Sequence, residues 1–279
     1  MKLVTYVHDG KERTGIVSED EKMIYETSFD SMNDLILSGD KPEPKGEAVP
    51  VGDVTLCAPI PRPLQDVICL GINYAAHAEE SARYKKEAYE KNREYTIYFS
   101  KRVNEAVAPG GFIEAHTDIE KKLDYEVELA VIIGKEAKNV PADRAREYIF
   151  GYTVLNDVSA RDLQINHKQW YFGKSLDGFT PMGPWIVTEE DIPWPVELGI
   201  RSRINGELRQ DGNTSLLMKD IGDIIEELSG GITLLPGTII ATGTPAGVGM
   251  GFDPPKFIGP GDVVSCEIDG IGVLENTVR

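Results

Sequence analysis

"LDYEVELAVIIG", residues 123–134, places three carboxylates in five positions and then turns wholly apolar. Side chains of a β-strand alternate between its two faces. Glu126 and Glu128 therefore stand side by side on one face, while Tyr125, Val127, Leu129 and Val131 form the other. Two adjacent carboxylates repel, and something must compensate: a metal ion, a basic partner, or bulk water at an exposed strand end.

The sequence on both sides of this strand is mostly short strand patterns joined by Gly, Pro and Asn turns: "TIYFS", "IFGYTVLND", "GPWIVT", "LGIRSRING", "TIIATG", "DVVSCEID" and "GVLENTV". Asn205-Gly206 is the signal of a type I′ hairpin. One helix is clear at "KDIGDIIEELSGG", with Asp220 as N-cap, Ile221, Ile224, Ile225 and Leu228 on one face, and Gly230 or Gly231 as the stop. A second helical stretch begins after the strand and turn of "DVICLGINY" and runs through "AAHAEESARYKKEAYEKNREY". The first ~60 residues alternate strand patterns with a brief helix at "SMNDLILSG" and end in the proline-rich "VTLCAPIPRPLQ". The pattern predicts a β-rich α+β protein, with residues 1–65 as a small α+β N-terminal domain and linker and residues 66–279 as the main domain.

Composition narrows the function. With 46 acidic against 29 basic residues the formal charge is −17, so nucleic acid and anionic membrane surfaces are repelled, and an anionic ligand needs a local basic patch or a metal. Cys57, Cys69 and Cys266 stand singly, which suits reduced, buried thiols and neither a disulfide framework nor a zinc site. No stretch approaches the ~20 apolar residues of a membrane span, and "MKLVTYVHDG" lacks a signal-peptide core, so a cytoplasmic protein is expected.

A metal needs further ligands, and "YTVLNDVSARD" offers Asp157 where an apolar strand runs out. Glu126, Glu128 and Asp157 make an all-oxygen set suited to a hard cation such as Mg²⁺ or Mn²⁺. Downstream, Arg161 can grip a carboxylate in bidentate fashion, Gln164 follows one turn later, and Lys174 can stabilise an oxyanion. Upstream, His77 and Glu80 are three residues apart on one helical face, a spacing that lets the carboxylate orient a general base. "GTIIATGTPAGVGMG" is glycine-rich but lacks the Lys-Ser/Thr of a P-loop and leads into a Pro-rich loop, so its amides and the Thr244 hydroxyl suit a carboxylate better than a nucleotide.

Taken in order, "GINYAAHAEE", "LDYEVELAVIIGK", "FGYTVLNDVSARDLQ", "GKSLDGFTPMGP", "RINGELRQ" and "IIATGTPAGVG" closely resemble the fumarylacetoacetate hydrolase family across roughly residues 66–279. They resemble in particular its bacterial branch with a small N-terminal domain, which includes 2-hydroxyhepta-2,4-diene-1,7-dioate isomerases, acylpyruvate hydrolases and oxaloacetate decarboxylases. The resemblance implies a mixed β-roll or β-sandwich catalytic domain, a homodimer, and a Mg²⁺ or Mn²⁺ cofactor held by Glu126, Glu128 and Asp157. It also implies Arg161, Gln164 and Thr244 as substrate contacts, Lys174 as the stabiliser of an enolate, and His77 oriented by Glu80 as the base. The substrate class it implies is a small anionic 2-oxo acid.

Carbon–carbon hydrolysis of an acylpyruvate or fumarylpyruvate through a metal-bound enolate leads the expectations. Oxaloacetate decarboxylation and isomerisation or oxo-enol tautomerisation are the alternatives. A metal-dependent oxo-acid-binding scaffold is the rival outside catalysis, and the His77–Glu80 pair with Lys174 argues against it. Residues 81–96, "SARYKKEAYEKNREYT", are charge-rich with few apolar anchors and are expected to act as a lid, with Lys101 and Arg102 beyond it helping to bind a distal carboxylate.

Overall fold

A computed structural model describes residues 1–86, 88 and 95–279. Their largest sheet has eleven strands. At its centre the strand Val127–Ile133 lies between Ile149–Asn156 and Ile239–Ala241, antiparallel to both. Beyond Ile239–Ala241 come Val67–Leu70, the parallel neighbour, and then Tyr98–Lys101 at the edge. On the other side Ile149–Asn156 pairs with Met182–Thr188, which pairs in turn with the N-terminal strand Lys2–His8. The register Lys2↔Val187 and Leu3↔Ile186 makes the N-terminal strands Lys2–His8, Lys11–Val17 and Met23–Glu26 an extension of the same sheet.

All seven residues of Val127–Ile133 are buried, because both faces of the strand are covered. The period-two alternation divides them between two cores. Val127, Leu129, Val131 and Ile133 pack with Ile200, Ile204, Val264, Cys266, Ile268 and Leu274. Those partners belong to a second sheet of five strands that includes Gly199–Ile204, Val263–Ile268 and Gly272–Val278. Ala130 and Ile132 face the other way, toward Met32, Leu35 and Ile36 of the helix Met32–Ser38. The result is a sheet-on-sheet sandwich with a helix on the outer face. Glu126 and Glu128 continue the row of Ala130 and Ile132.

The turn and cap signals act where the sequence places them. Asn205 and Gly206 take φ values of 51° and 83° and join Gly199–Ile204 to Glu207–Asn213. Asp220 accepts a hydrogen bond from Asp223 N at 2.8 Å and starts the helix Ile221–Gly231. Its buried Ile221, Ile224, Ile225 and Leu228 each contribute about 1.5–3 kcal/mol of apolar burial. The expected stop at Gly230 or Gly231 is not what ends it. Both glycines are helical, and the chain leaves at Ile232, whose N–H still bonds Leu228 O at 2.8 Å before the backbone becomes extended.

The helix after "GINY" spans Ala75–Lys85 and is closed by Lys86 in the left-handed conformation, so the charge-rich stretch is not one continuous helix. Of the expected lid, residues 87 and 89–94 lie outside the described residues. Two short helices, Arg161–Asn166 and Tyr171–Lys174, carry no strong periodicity in the sequence and are set by the tertiary structure. Among the described residues no helix is long and apolar enough to cross a membrane.

Candidate active site and metal centre

The pairing Val127↔Asn156 brings the start of one central strand beside the end of its neighbour. Asp157 N donates to Glu126 O at 2.8 Å, and Glu126 N donates to the Asn156 side-chain oxygen at 3.0 Å, so the backbone itself fixes Glu126 against Asp157. One carboxylate oxygen from each of Glu126, Glu128 and Asp157 lies within 4.8 Å of the others. The three residues are 5%, 1% and 0% exposed, so bulk water does not compensate their repulsion.

Basic partners do so in part. Lys174 Nζ bridges Glu126 Oε2 at 2.7 Å and Asp157 Oδ2 at 2.6 Å. Lys101 Nζ bonds Asp157 Oδ1 at 2.6 Å and Val158 O at 3.0 Å. Arg161 lies 2.6 Å from Glu126 Oε1 and donates from Nε to Asp124 Oδ2 at 2.8 Å. Burial alone would raise the Glu126 pKa, but Lys174, Arg161 and His77 outweigh it and hold the carboxyl well below its usual range. Burial likewise works against charge on Lys174, yet Asp157 and Glu126 keep its pKa above the ordinary lysine value.

Glu128 differs. Its Oε2 accepts a 2.8 Å bond from Gly243 N, and no cation pairs with it among the described residues. Burial, then Asp157 and Glu126, push its pKa well above the normal carboxylate value. Four buried acids, Asp124, Glu126, Glu128 and Asp157, thus face three buried cations, Lys101, Arg161 and Lys174. The acid without a cation, Glu128, and the all-oxygen donor set fit a hard divalent cation.

Other expected residues sit nearby in different roles. Lys101 is wholly buried under Asp157 and cannot reach a distal carboxylate, which corrects that expectation; the pleat of Tyr98–Lys101 turns its side chain inward. Arg102 follows on the exposed side, where its N–H bonds Ser175 Oγ at 3.0 Å. Thr244 Oγ1 donates to Val127 O at 2.9 Å and accepts from Gln210 Nε2 at 2.6 Å, so its hydroxyl proton is already committed. Gln164 accepts from Arg161 Nη1 at 3.1 Å and lines an outer cavity of about 470 Å³ with Tyr84, Ile165, Lys168 and Trp170.

His77 is 3% exposed, and its Nδ1 lies 3.7 Å from Glu80 Oε2, beyond hydrogen-bond reach. Both Glu80 oxygens instead accept from Gly247 N at 3.0 Å. The glycine-rich loop therefore does bind carboxylates, but they are the protein's own: Gly243 holds Glu128, Gly247 holds Glu80, and Gly249 and Met250 hold Asp124 at 2.6 and 3.0 Å. Gly243 is required there. At φ 99° it lets the backbone approach so closely that an added Cβ would lie 2.8 Å from Asn73 Cβ. Asp124 and Gln210 are the supports that residue-type reasoning missed. Asp124 stands in the opening motif, but which partners it meets is a matter of tertiary structure.

Residues 66–279 match the model of the fumarylacetoacetate (FAA) hydrolase C-terminal domain, and residues 1–59 match an Rv2993c-like N-terminal model. The chain belongs to the fumarylacetoacetate hydrolase family. It is an enzyme of that family, with the strand-rich mixed fold of its relatives. It is 44% identical over 228 residues, 82% of this chain and 74% of the other, to the oxaloacetate tautomerase YisK of Bacillus subtilis. A fumarylacetoacetate hydrolase from the psychrophile Exiguobacterium antarcticum superposes with a TM-score of 0.89 at 40% identity, covering 100% of this chain and 99% of that one. A 2-hydroxyhepta-2,4-diene-1,7-dioate isomerase from Mycobacterium marinum gives 0.81 at 35% identity, covering 100% and 98%.

Proposed function

We propose that this enzyme interconverts the enol and keto forms of a small 2-oxo dicarboxylic acid of the oxaloacetate type, with Mg²⁺ or Mn²⁺ held by Glu126, Glu128 and Asp157. The observation that carries this reading is a buried imidazole, His77, with an unpartnered Nδ1 beside a carboxylate cluster fit for a cation. Such a group is ready to take and return a proton, and proton transfer between C3 and the 2-oxygen is all that tautomerisation requires. The 44% sequence identity to the oxaloacetate tautomerase YisK supports the same choice. The divalent ion, when bound, supplies Lewis acidity to the 2-oxo group.

The chain's own residues do the rest. Lys174, kept protonated by Asp157 and Glu126, places a positive charge where an oxyanion develops. Arg161, fixed by Asp124, offsets the negative charge of the acid. His77 moves the proton at C3; Glu80, 3.7 Å from its Nδ1 and held by Gly247 N, would have to turn toward the ring to orient it. Carbon–carbon hydrolysis is the second reading, since the same pair could activate water and the similar structure from Exiguobacterium antarcticum is a fumarylacetoacetate hydrolase.

The test is to offer enol-oxaloacetate, an acylpyruvate and a hydroxymuconate-type diene with Mg²⁺, following enol absorbance and product identity together. Accelerated loss of the enol signal without pyruvate release is expected, and it should stop on chelation. Pyruvate plus a second acid would move the assignment to hydrolysis, and pyruvate plus CO₂ to decarboxylation.

A further inference from the structure

Tyr74, His77 and Glu80 follow one another at three-residue steps from the N-cap of the helix Ala75–Lys85, which keeps them within about a third of the helix circumference. Asn73, the residue before Tyr74, packs on Gly243, whose N–H holds Glu128, and the Glu128 carboxylate acts on the Tyr74 phenol. The other flank, with Ala78, Ser81 and Ala82, borders a separate cavity of about 300 Å³. Tyr74 is 3% exposed, and its hydroxyl is fully buried with no hydrogen-bond partner among the described residues.

The backbone around it leaves little freedom. Asn73 Nδ2 donates to Thr242 O and to Lys219 O, both at 2.9 Å. Tyr74 O receives the N–H of Ala78 at 3.0 Å. A buried hydroxyl without a partner costs stability, and a phenylalanine of the same shape would avoid that cost. The phenol therefore needs a partner that the described residues do not supply.

We propose that the Tyr74 hydroxyl donates a hydrogen bond to an oxygen of the 2-oxo acid bound at the carboxylate centre, as a further catalytic residue alongside His77 and Lys174. This assignment rests on the reading of the site given above. The phenol keeps its proton throughout. It stabilises negative charge on the ligand oxygen, so it serves binding of the acid and of its enolate alike.

Tyr74→Phe removes one oxygen and nothing else. The variant and the wild type are compared for thermal midpoint without ligand, for Mg²⁺ affinity, and for affinity toward oxalate in the presence of Mg²⁺, oxalate standing in for the chelating half of a 2-oxo acid. The unliganded midpoint is expected to hold or rise. Mg²⁺ affinity should stay within about twofold, and oxalate affinity should fall roughly 10- to 150-fold, the scale of one hydrogen bond to a charged acceptor. Oxalate binding within about twofold of wild type would overturn the assignment, as would a clear drop in the unliganded midpoint, the mark of a structural partner. A wild-type protein that binds no oxalate with Mg²⁺ would overturn the reading of the whole site, and this assignment with it.

Discussion

Ion pairs occur in two settings in this molecule. On the surface, Arg144 and Glu147 meet at 2.7 Å with side chains 56% and 54% exposed. At the centre, Lys174, Lys101 and Arg161 meet Asp157, Glu126 and Asp124 at similar distances with side chains 0–6% exposed. The chemistry of the pairs is alike, but their surroundings are not. Water solvates the surface pair whether or not the bond forms, so the pair adds little. At the centre the charges solvate one another, and removing any one strands its partners in a low dielectric. A fold gains little stability from such a cluster over well-packed apolar residues, so its presence marks a functional site.

The largest effects should come from breaking the centre. Asp157→Ala should abolish turnover and also destabilise the protein by roughly 3–5 kcal/mol in denaturant titration, because it strands Lys101 and Lys174. Loss of a ligand alone would predict a normally stable variant. Glu128→Gln sharpens the contrast: turnover should likewise vanish, yet stability should hold or rise, since Glu128 has no paired cation to strand. Equal destabilisation by both substitutions would refute this account of the cluster.

His77→Ala should have an intermediate effect, lowering turnover on the order of 10²-fold, the scale of a positioned general base, with oxalate affinity little changed. A parallel loss of oxalate affinity in calorimetry would make His77 a binding group. Arg144→Ala should be the smallest, with no measurable shift in either the unfolding midpoint or turnover. A clear midpoint shift there would erase the distinction between the two settings.

The sequence by itself determined most of the strands, the helix that starts at Asp220 and the donor types. The apolar alternation of Val127–Ile133, the Asn205-Gly206 turn and the Asp220 cap are local signals, because period, backbone φ and an orphan N–H depend on near neighbours only. The approach of Glu126 and Glu128 was legible for the same reason, as they are two positions apart on one face. Asp157, Arg161, Lys174, His77 and Glu80 were legible as residue types matching a family pattern, while their partners were not. That Lys101 lies beneath Asp157 and not at a distal subsite, that Asp124 clamps Arg161 and the loop at Gly249, and that Glu80 rests on Gly247 were decided by tertiary structure. Each of these contacts joins residues 37 to 167 positions apart, and only the pairing of strands and the packing of the glycine-rich loop bring them within hydrogen-bond reach.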